Sequence, residues 1–268
     1  MKIALIGCGN IGTIIAQAIK DNKLNVSFEC VYDKIEDKAK DFAEKFQTKF
    51  KQFDDILKED LDLVLEAASQ EAVRTLVPRI LKSKKNVMIM STGALVDSQL
   101  FDEIKTLAME KNLKVYLPSG AIVGLDGIKS ANIIGIEKVT LKTRKPLKSL
   151  EGSPFFEKHK IDLKEIKRPT VIYEGLAKEA VKLFPKNVNV AASLSLAGIG
   201  PEKTTIQIIA DPTINRNIHE IIAEGKFGTI HTKTDNVLSP DNPKTSYLAA
   251  LSAIATLKKI TEPIQIGT

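Results

Sequence analysis

A short apolar run, Ile3-Ala4-Leu5-Ile6, ends directly in Gly7-Cys8-Gly9-Asn10-Ile11-Gly12, and a helix-like segment follows at once. Few arrangements constrain a chain more. The run reads as a strand, Lys2–Ile6, buried on both faces. Ile11–Lys20 carries helical spacing through Ile11, Ile14, Ile15, Ala18 and Ile19. A G-x-G-x-x-G element between such a strand and such a helix predicts a loop that cradles a dinucleotide pyrophosphate. Gly7 permits the tight turn, Gly9 lets the backbone approach the phosphates, and Gly12 lets helix and strand pack closely. Asn10 and Ile11 complete the loop, whose free N–H groups and helix dipole favour an anion. An acidic residue is then expected about 20 residues on, at the end of the second strand. Asp33 closes Val31-Tyr32-Asp33, placed to bind the adenosine ribose hydroxyls. That favours NAD, since a 2′-phosphate would meet an anion, although the adjacent Lys34 softens the discrimination and leaves NADP open.

The rhythm of the first 118 residues repeats this unit. Strand-like segments at Val26–Tyr32, near Lys49, Leu63–Ala67, Val87–Met90 and Lys114–Leu117 alternate with helical ones. The helices are Glu36–Phe46, Asp54–Glu59, Glu71–Ser83 and Ser98–Lys111, with Pro78 bending the third or marking an early turn. Repeated β-α-β units predict an α/β protein with a doubly wound parallel sheet. The carboxyl ends of the later strands carry Ala67-Ala68-Ser69-Gln70, Ser91-Thr92-Gly93-Ala94 and Pro118-Ser119-Gly120-Ala121. Such small, polar segments can line a cofactor crevice without filling it, and Ala67 is assigned to that crevice.

From Pro118 the pattern changes. Ile133–Arg144 reads as a long alternating strand, and residues 145–169, rich in Lys and Glu, as a solvated excursion. Gly175–Phe184 and Asn189–Leu196 read as helices, and Thr205–Ala210 as a strand. Asn217–Ala223 and Phe227–Thr232 read as two strands joined at Glu224-Gly225-Lys226. Hairpin-like joints predict a mostly antiparallel sheet and a second, α+β domain. Asn236–Lys244 holds turn formers, and the apolar helix Thr245–Lys259 is expected to return to the first domain. The predicted division is 1–118 with 245–268 as the dinucleotide-binding domain and 119–244 as the substrate and dimerisation domain.

Composition narrows the function class. With 43% hydrophobic and 27% charged residues the chain of 268 is neither collagenous nor broadly disordered. Its net charge of +6 is spread along the whole length, and aromatics make up 5% with no Trp. Nucleic-acid binding is therefore not expected. No apolar stretch is long enough to span a bilayer. Two cysteines, Cys8 and Cys30, fit a reducing cytoplasm and are too few for a zinc site. No metal is expected.

A dehydrogenase needs a base near neutral pKa, which histidine supplies. Of His159, His219 and His231, local pattern makes each a surface position. Lys203 and Lys244 could serve if desolvated, and spacing alone does not choose among these five.

Four longer stretches add a resemblance. They are Ser119-Gly120-Ala121-Ile122-Val123-Gly124-Leu125-Asp126-Gly127, Phe184-Pro185-Lys186-Asn187-Val188-Asn189-Val190-Ala191-Ala192, Gly198-Ile199-Gly200-Pro201-Glu202-Lys203-Thr204, and Asp241 through Ala253. Together they resemble the L-aspartate dehydrogenase family, from the Gly7 loop to the last helix. The excursion at 145–169 carries none of its motifs. The resemblance implies a Rossmann domain, a dimerising α/β substrate domain, and NAD- or NADP-linked oxidation of L-aspartate. Iminoaspartate would be the first product, hydrolysing to oxaloacetate and ammonia or passing to a quinolinate-forming enzyme of NAD biosynthesis. It places the catalytic histidine at His219 and further cofactor contacts at Ala121 and Asn187. The two substrate carboxylates need cations, for which Arg216, Lys203 and Lys244 are the candidates. A homoserine dehydrogenase, a dihydrodipicolinate reductase or a nucleotide sensor are the competing readings. The doubled His-His motif of those reductases is missing here, and no helix-turn-helix stands out.

Overall fold

A computed structural model describes residues 1–184, 189–239 and 242–267, the side chains of 242–244 excepted. The chain divides into two compact units. One comprises Met1–Pro118 with Ala250–Ile266, the other Ser119–Ala249 with Gly267.

The first unit runs β1 (Lys2–Ile6), α1 (Asn10–Lys20), β2 (Ser27–Tyr32), α2 (Glu36–Phe46), β3 (Lys49–Phe50) and α3 (Phe53–Ile56). It continues through β4 (Leu63–Glu66), α4 (Gln70–Lys82), β5 (Asn86–Ile89), α5 (Ser98–Glu110) and β6 (Val115–Tyr116). The six strands are all parallel, in the order β3-β2-β1-β4-β5-β6. This doubly wound order reverses direction between β1 and β4, which opens a crevice at their carboxyl ends. Every residue of β4 is buried, as a central strand covered on both faces requires. Ile3, Leu5, Leu63, Leu65 and Met88 form one core with Ile15 of α1 and Phe42 and Phe46 of α2, joined by Ala253 and Leu257. The last two come from the C-terminal helix, which buries Ala250, Ser252, Ala253 and Leu257 and leaves Tyr247 and Leu251 exposed, so the expectation of an apolar helix buried over most of its surface is corrected. Pro78 lies within α4, which continues through it with Pro78 itself buried.

The second unit holds α6 (Leu125–Ala131), β7 (Ile136–Lys145), α7 (Leu147–Leu150), α8 (Pro154–His159), β8 (Thr170–Leu176), α9 (Ala177–Leu183) and α10 (Asn189–Ala197). Then come β9 (Thr205–Ala210), β10 (Asn217–Gly225), β11 (Gly228–Asn236), β12 (Leu238–Ser239) and β13 (Asn242–Ser246), before α11 (Tyr247–Thr261). Five strands form a mixed sheet ordered β11-β10-β7-β9-β8. Only β7 and β9 are parallel neighbours; the other three pairings are antiparallel. Alternation puts Val139, Leu141, Ile206, Ile208, Ile221 and Ala223 on one buried face. The helix α10 packs on α6 and α9, and just past its end a Cβ on Gly198 would lie 3.3 Å from Ile128 Cγ2 of α6.

Several expectations are corrected. The excursion at 145–169 is anchored, with Leu150, Phe155 and Phe156 buried. The Phe155 ring stacks on Phe184 at 4.9 Å and meets the tilted His159 ring at 4.4 Å. A lone aromatic pair among charges has no period to betray it, so this cluster was not predicted. Gly175 and Leu176 belong to β8, not to a helix, because they continue its ladder with β9. The long strand starts at Ile136; Ile133 and Ile134 are exposed just ahead of it. The turn expected over 236–244 contains the short antiparallel pair β12–β13.

Candidate active site

The glycine loop is built as a cradle. Gly7 has φ +104°, and its N–H donates to the Tyr32 carbonyl at 2.8 Å. A Cβ on Gly7 would lie 2.6 Å from the Ala67 carbonyl oxygen, so loop and β4 end meet with no room for a side chain. A Cβ on Gly12 would fall 2.3 Å from the Gly7 carbonyl oxygen. Gly9 is different: a Cβ there would meet nothing within 4 Å. The space it faces is open, as backbone approaching a pyrophosphate requires. No side chain caps α1 at Gly9, and its first turn carries no acid to repel an anion. Asp33 Oδ2 accepts from the Cys8 N–H at 2.8 Å and Oδ1 from the Ile35 N–H at 3.1 Å. These bonds fix the carboxylate at the mouth of the loop, 3.7 Å from Lys38 Nζ. The residues present therefore fit a dinucleotide. Gly7, Gly9, Asn10, Ile11, Gly12, Asp33 and Ala67 come together at the carboxyl ends of β1, β2 and β4. Burial pushes the Cys8 thiol up to about 12 and the Cys30 thiol up to about 11, so both are protonated.

Sequence reasoning passed over Glu66, the last residue of β4. It is wholly buried, and four donors converge on it. Oε1 accepts from the Ala68 N–H at 2.8 Å, the Ser69 N–H at 3.0 Å and the Ser91 hydroxyl at 2.8 Å. Oε2 accepts from the Ser91 N–H at 3.0 Å. Burial raises its pKa while these four bonds oppose the rise. The carboxylate thus ties the loops after β4 and β5 together. A single acid ending an apolar strand was the available signal.

In the second unit His219 lies on β10 opposite Thr143 of β7. It is 3% exposed, not the surface residue its local pattern suggested. Its Nδ1 stands 3.0 Å from the Thr143 hydroxyl. Burial, and secondarily the charge of Lys145, lower its pKa to about 3, so the imidazole is neutral. Lys145, the last residue of β7, is 4% exposed, and burial lowers its pKa to about 8. Lys145 was not singled out from the sequence, where it was assigned to the solvated excursion. Extending the alternation Val139, Leu141, Thr143 by one step would have turned it inward.

The remaining candidates are placed as follows. Ala121 is buried in the second unit, its carbonyl accepting from Thr234 Oγ1 and Asn236 Nδ2, each at 3.0 Å. Arg216 is half-exposed just before β10 and lies 3.8 Å from Asp235, a residue on the sheet face away from His219. Lys203 is exposed in the turn before β9. Since Thr205 pairs with Thr140 and His219 with Thr143, Lys203 sits toward the opposite end of the sheet from His219. The structure does not bring Lys203 and His219 together. His231 is exposed, 3.7 Å from Glu220, and His159 is exposed beside Phe155. Asn187 and the Lys244 side chain lie outside the described residues. Among the described residues no helix is long and apolar enough to cross a membrane.

Known proteins agree with this architecture. A family model described as the C-terminal region of aspartate dehydrogenase matches residues 126–260, and one described as the NAD binding domain of homoserine dehydrogenase matches residues 7–118. The L-aspartate dehydrogenase of Methanosarcina acetivorans is 50% identical, covering 100% of both chains. That of Methanosarcina mazei is also 50% identical over 100% of both. The crystal structure of aspartate dehydrogenase from Thermotoga maritima superposes with a TM-score of 0.76 at 30% identity, covering 100% of this chain and 99% of that one. The chain therefore belongs to the L-aspartate dehydrogenase family of NAD(P)-linked oxidoreductases.

Proposed function

We propose that this protein oxidises L-aspartate to iminoaspartate, which hydrolyses to oxaloacetate and ammonia, with NAD or NADP as hydride acceptor. The observation that carries the residue assignment is the buried, neutral His219 fixed by Thr143 in the second unit. When bound, the nicotinamide supplies the redox chemistry by accepting the hydride from the substrate Cα. The rest falls to the chain. The ammonium of aspartate must lose a proton before its nitrogen lone pair can assist hydride departure. In the tautomer whose Nδ1–H donates to Thr143, the Nε2 of His219 presents a lone pair to take that proton. Its low pKa in the free protein makes it a weak base at neutral pH. A dicarboxylate offsetting the nearby Lys145 charge removes the lesser of the two effects that lower that pKa, burial being the larger. The glycine loop and Asp33 hold the nucleotide, with Ala67, Ala121 and Asn187 as further contacts. Holding Cα and acceptor in line contributes about 7–11 kcal/mol of barrier reduction.

On this reading the protein works in a reducing cytoplasm and feeds iminoaspartate to a quinolinate-forming partner of NAD biosynthesis. A homodimer is part of the same reading, supported by the half-exposed Ile209, Ile218 and Ile222 on the sheet face opposite His219. The test is formation of reduced cofactor from a panel of amino acids, with both NAD and NADP. L-aspartate should be the preferred substrate, and His219→Ala should lower kcat more than about tenfold with aspartate binding intact. A smaller loss would remove His219 from the chemistry, and no turnover of L-aspartate would remove the substrate.

A further inference from the structure

The buried face of the five-stranded sheet is apolar for most of its length and turns polar where β7 ends and β10 begins. Thr143 stands opposite His219 and Arg144 opposite Ile218, so Lys145 and Asn217 lie one step further along adjacent strands. Alternation directs both to the buried side. Lys145 is 4% exposed and Asn217 is 1% exposed.

Both are left short of partners. Among the described residues no carboxylate or other acceptor lies within bonding distance of the Lys145 ammonium. Asp211, buried close by, is occupied by Arg144 at 3.4 Å and by the N–H and hydroxyl of Thr213 at 2.8 and 2.6 Å. Glu220 belongs to the other face, within 4.0 Å of His231 and Lys233. Asn217 donates through Nδ2 to the Ser246 hydroxyl at 3.1 Å, but its buried Oδ1 has no donor. A buried ammonium without a counter-ion and a buried carbonyl without a donor are each costly. A chain tolerates the two side by side where a ligand completes them. The complement is a molecule that presents a carboxylate to one and an N–H to the other, which an amino acid does.

We propose that Lys145 and Asn217 recognise the substrate beside His219, the Lys145 ammonium taking one carboxylate of L-aspartate and the Asn217 Oδ1 accepting from its amino group. This rests on the aspartate reading above and replaces Lys203 as the carboxylate partner.

The test uses the full chain with its nicotinamide cofactor, and succinate as a probe that keeps both carboxylates and lacks the amine. Lys145→Met should raise the KM for L-aspartate and the inhibition constant of succinate about thirtyfold or more. Its affinity for NADH should stay unchanged. Its Tm should rise by about 4 °C or more, since an uncompensated buried charge is gone. Asn217→Leu should raise the KM for L-aspartate about tenfold and leave succinate inhibition within about twofold. Lys145→Gln provides a second variant should the methionine variant fail to fold. A succinate constant unmoved by both Lys145 variants overturns the proposal, and a fall in Tm alongside it makes Lys145 structural. Succinate inhibition that weakens equally in Asn217→Leu overturns the amine assignment. If the wild type binds succinate through Lys145 yet does not oxidise L-aspartate, the substrate reading fails and the carboxylate site stands.

Discussion

The hydroxyl of Thr143 and Nδ1 of His219 lie 3.0 Å apart, on neighbouring strands of the second unit's sheet and on its buried face. That contact locks the plane of the imidazole. Thr143→Val keeps the shape and removes the partner. We expect kcat to fall about tenfold or more with little change in the KM for L-aspartate, because the base loses orientation while binding groups stay in place. Steady-state kinetics on the purified variant decide it.

The depressed pKa of His219 makes stability depend on pH. The unfolded imidazole titrates near 6.5 and the folded one near 3. The unfolded chain therefore binds more protons between these values, and the native state loses stability as pH falls through that window. Above about pH 6.5 the effect is absent, since both states are neutral there. His219→Gln removes this titration. Between about pH 6 and pH 4 the wild type should lose up to about 1.4 kcal/mol per pH unit more than the variant. Urea melts of both proteins across that range provide the comparison.

Two glycines of the same loop should fail in different ways. A methyl group on Gly12 collides with the Gly7 carbonyl oxygen, so Gly12→Ala should destabilise the fold by about 1–3 kcal/mol. Gly9 has φ −82° and open space where its Cβ would be, so Gly9→Ala should melt like the wild type. That space is where the pyrophosphate is expected, and NADH affinity should drop about tenfold or more. Thermal melts with NADH fluorescence titrations separate the two effects.

Asp33 is the anion that a 2′-phosphate would meet, with Lys38 Nζ 3.7 Å away. Asp33→Asn keeps an acceptor for the Cys8 N–H and removes the charge. The ratio of kcat/KM for NADP to that for NAD should rise about tenfold or more. Parallel assays with the two cofactors measure it.

Most of the first unit was legible because its signals are local. The apolar run of β1, the glycine spacing and the helical periods of α1 and α2 each fall within a few residues of one another. Burial on both faces of a parallel strand writes itself as an unbroken apolar stretch, as in β4. The acid Glu66 interrupts that code, and its meaning appears only when Ser91 of the next loop is seen bonded to it. The aromatic anchor at Phe155 was hidden for a related reason, since its partner Phe184 is distant in sequence.

By itself the amino-acid order determined the doubly wound sheet and the phosphate loop, because propensity and periodicity act over one or two turns. Tertiary structure alone decided that His219 is buried rather than exposed. It also decided that a lysine with no counter-ion among the described residues shares its face and that Lys203 sits toward the far end. These depend on the register of β7 with β10, more than seventy residues away, and with β9. A side chain's charge state follows from the dielectric and the neighbours that such pairing brings, and neither is written in the residues beside it.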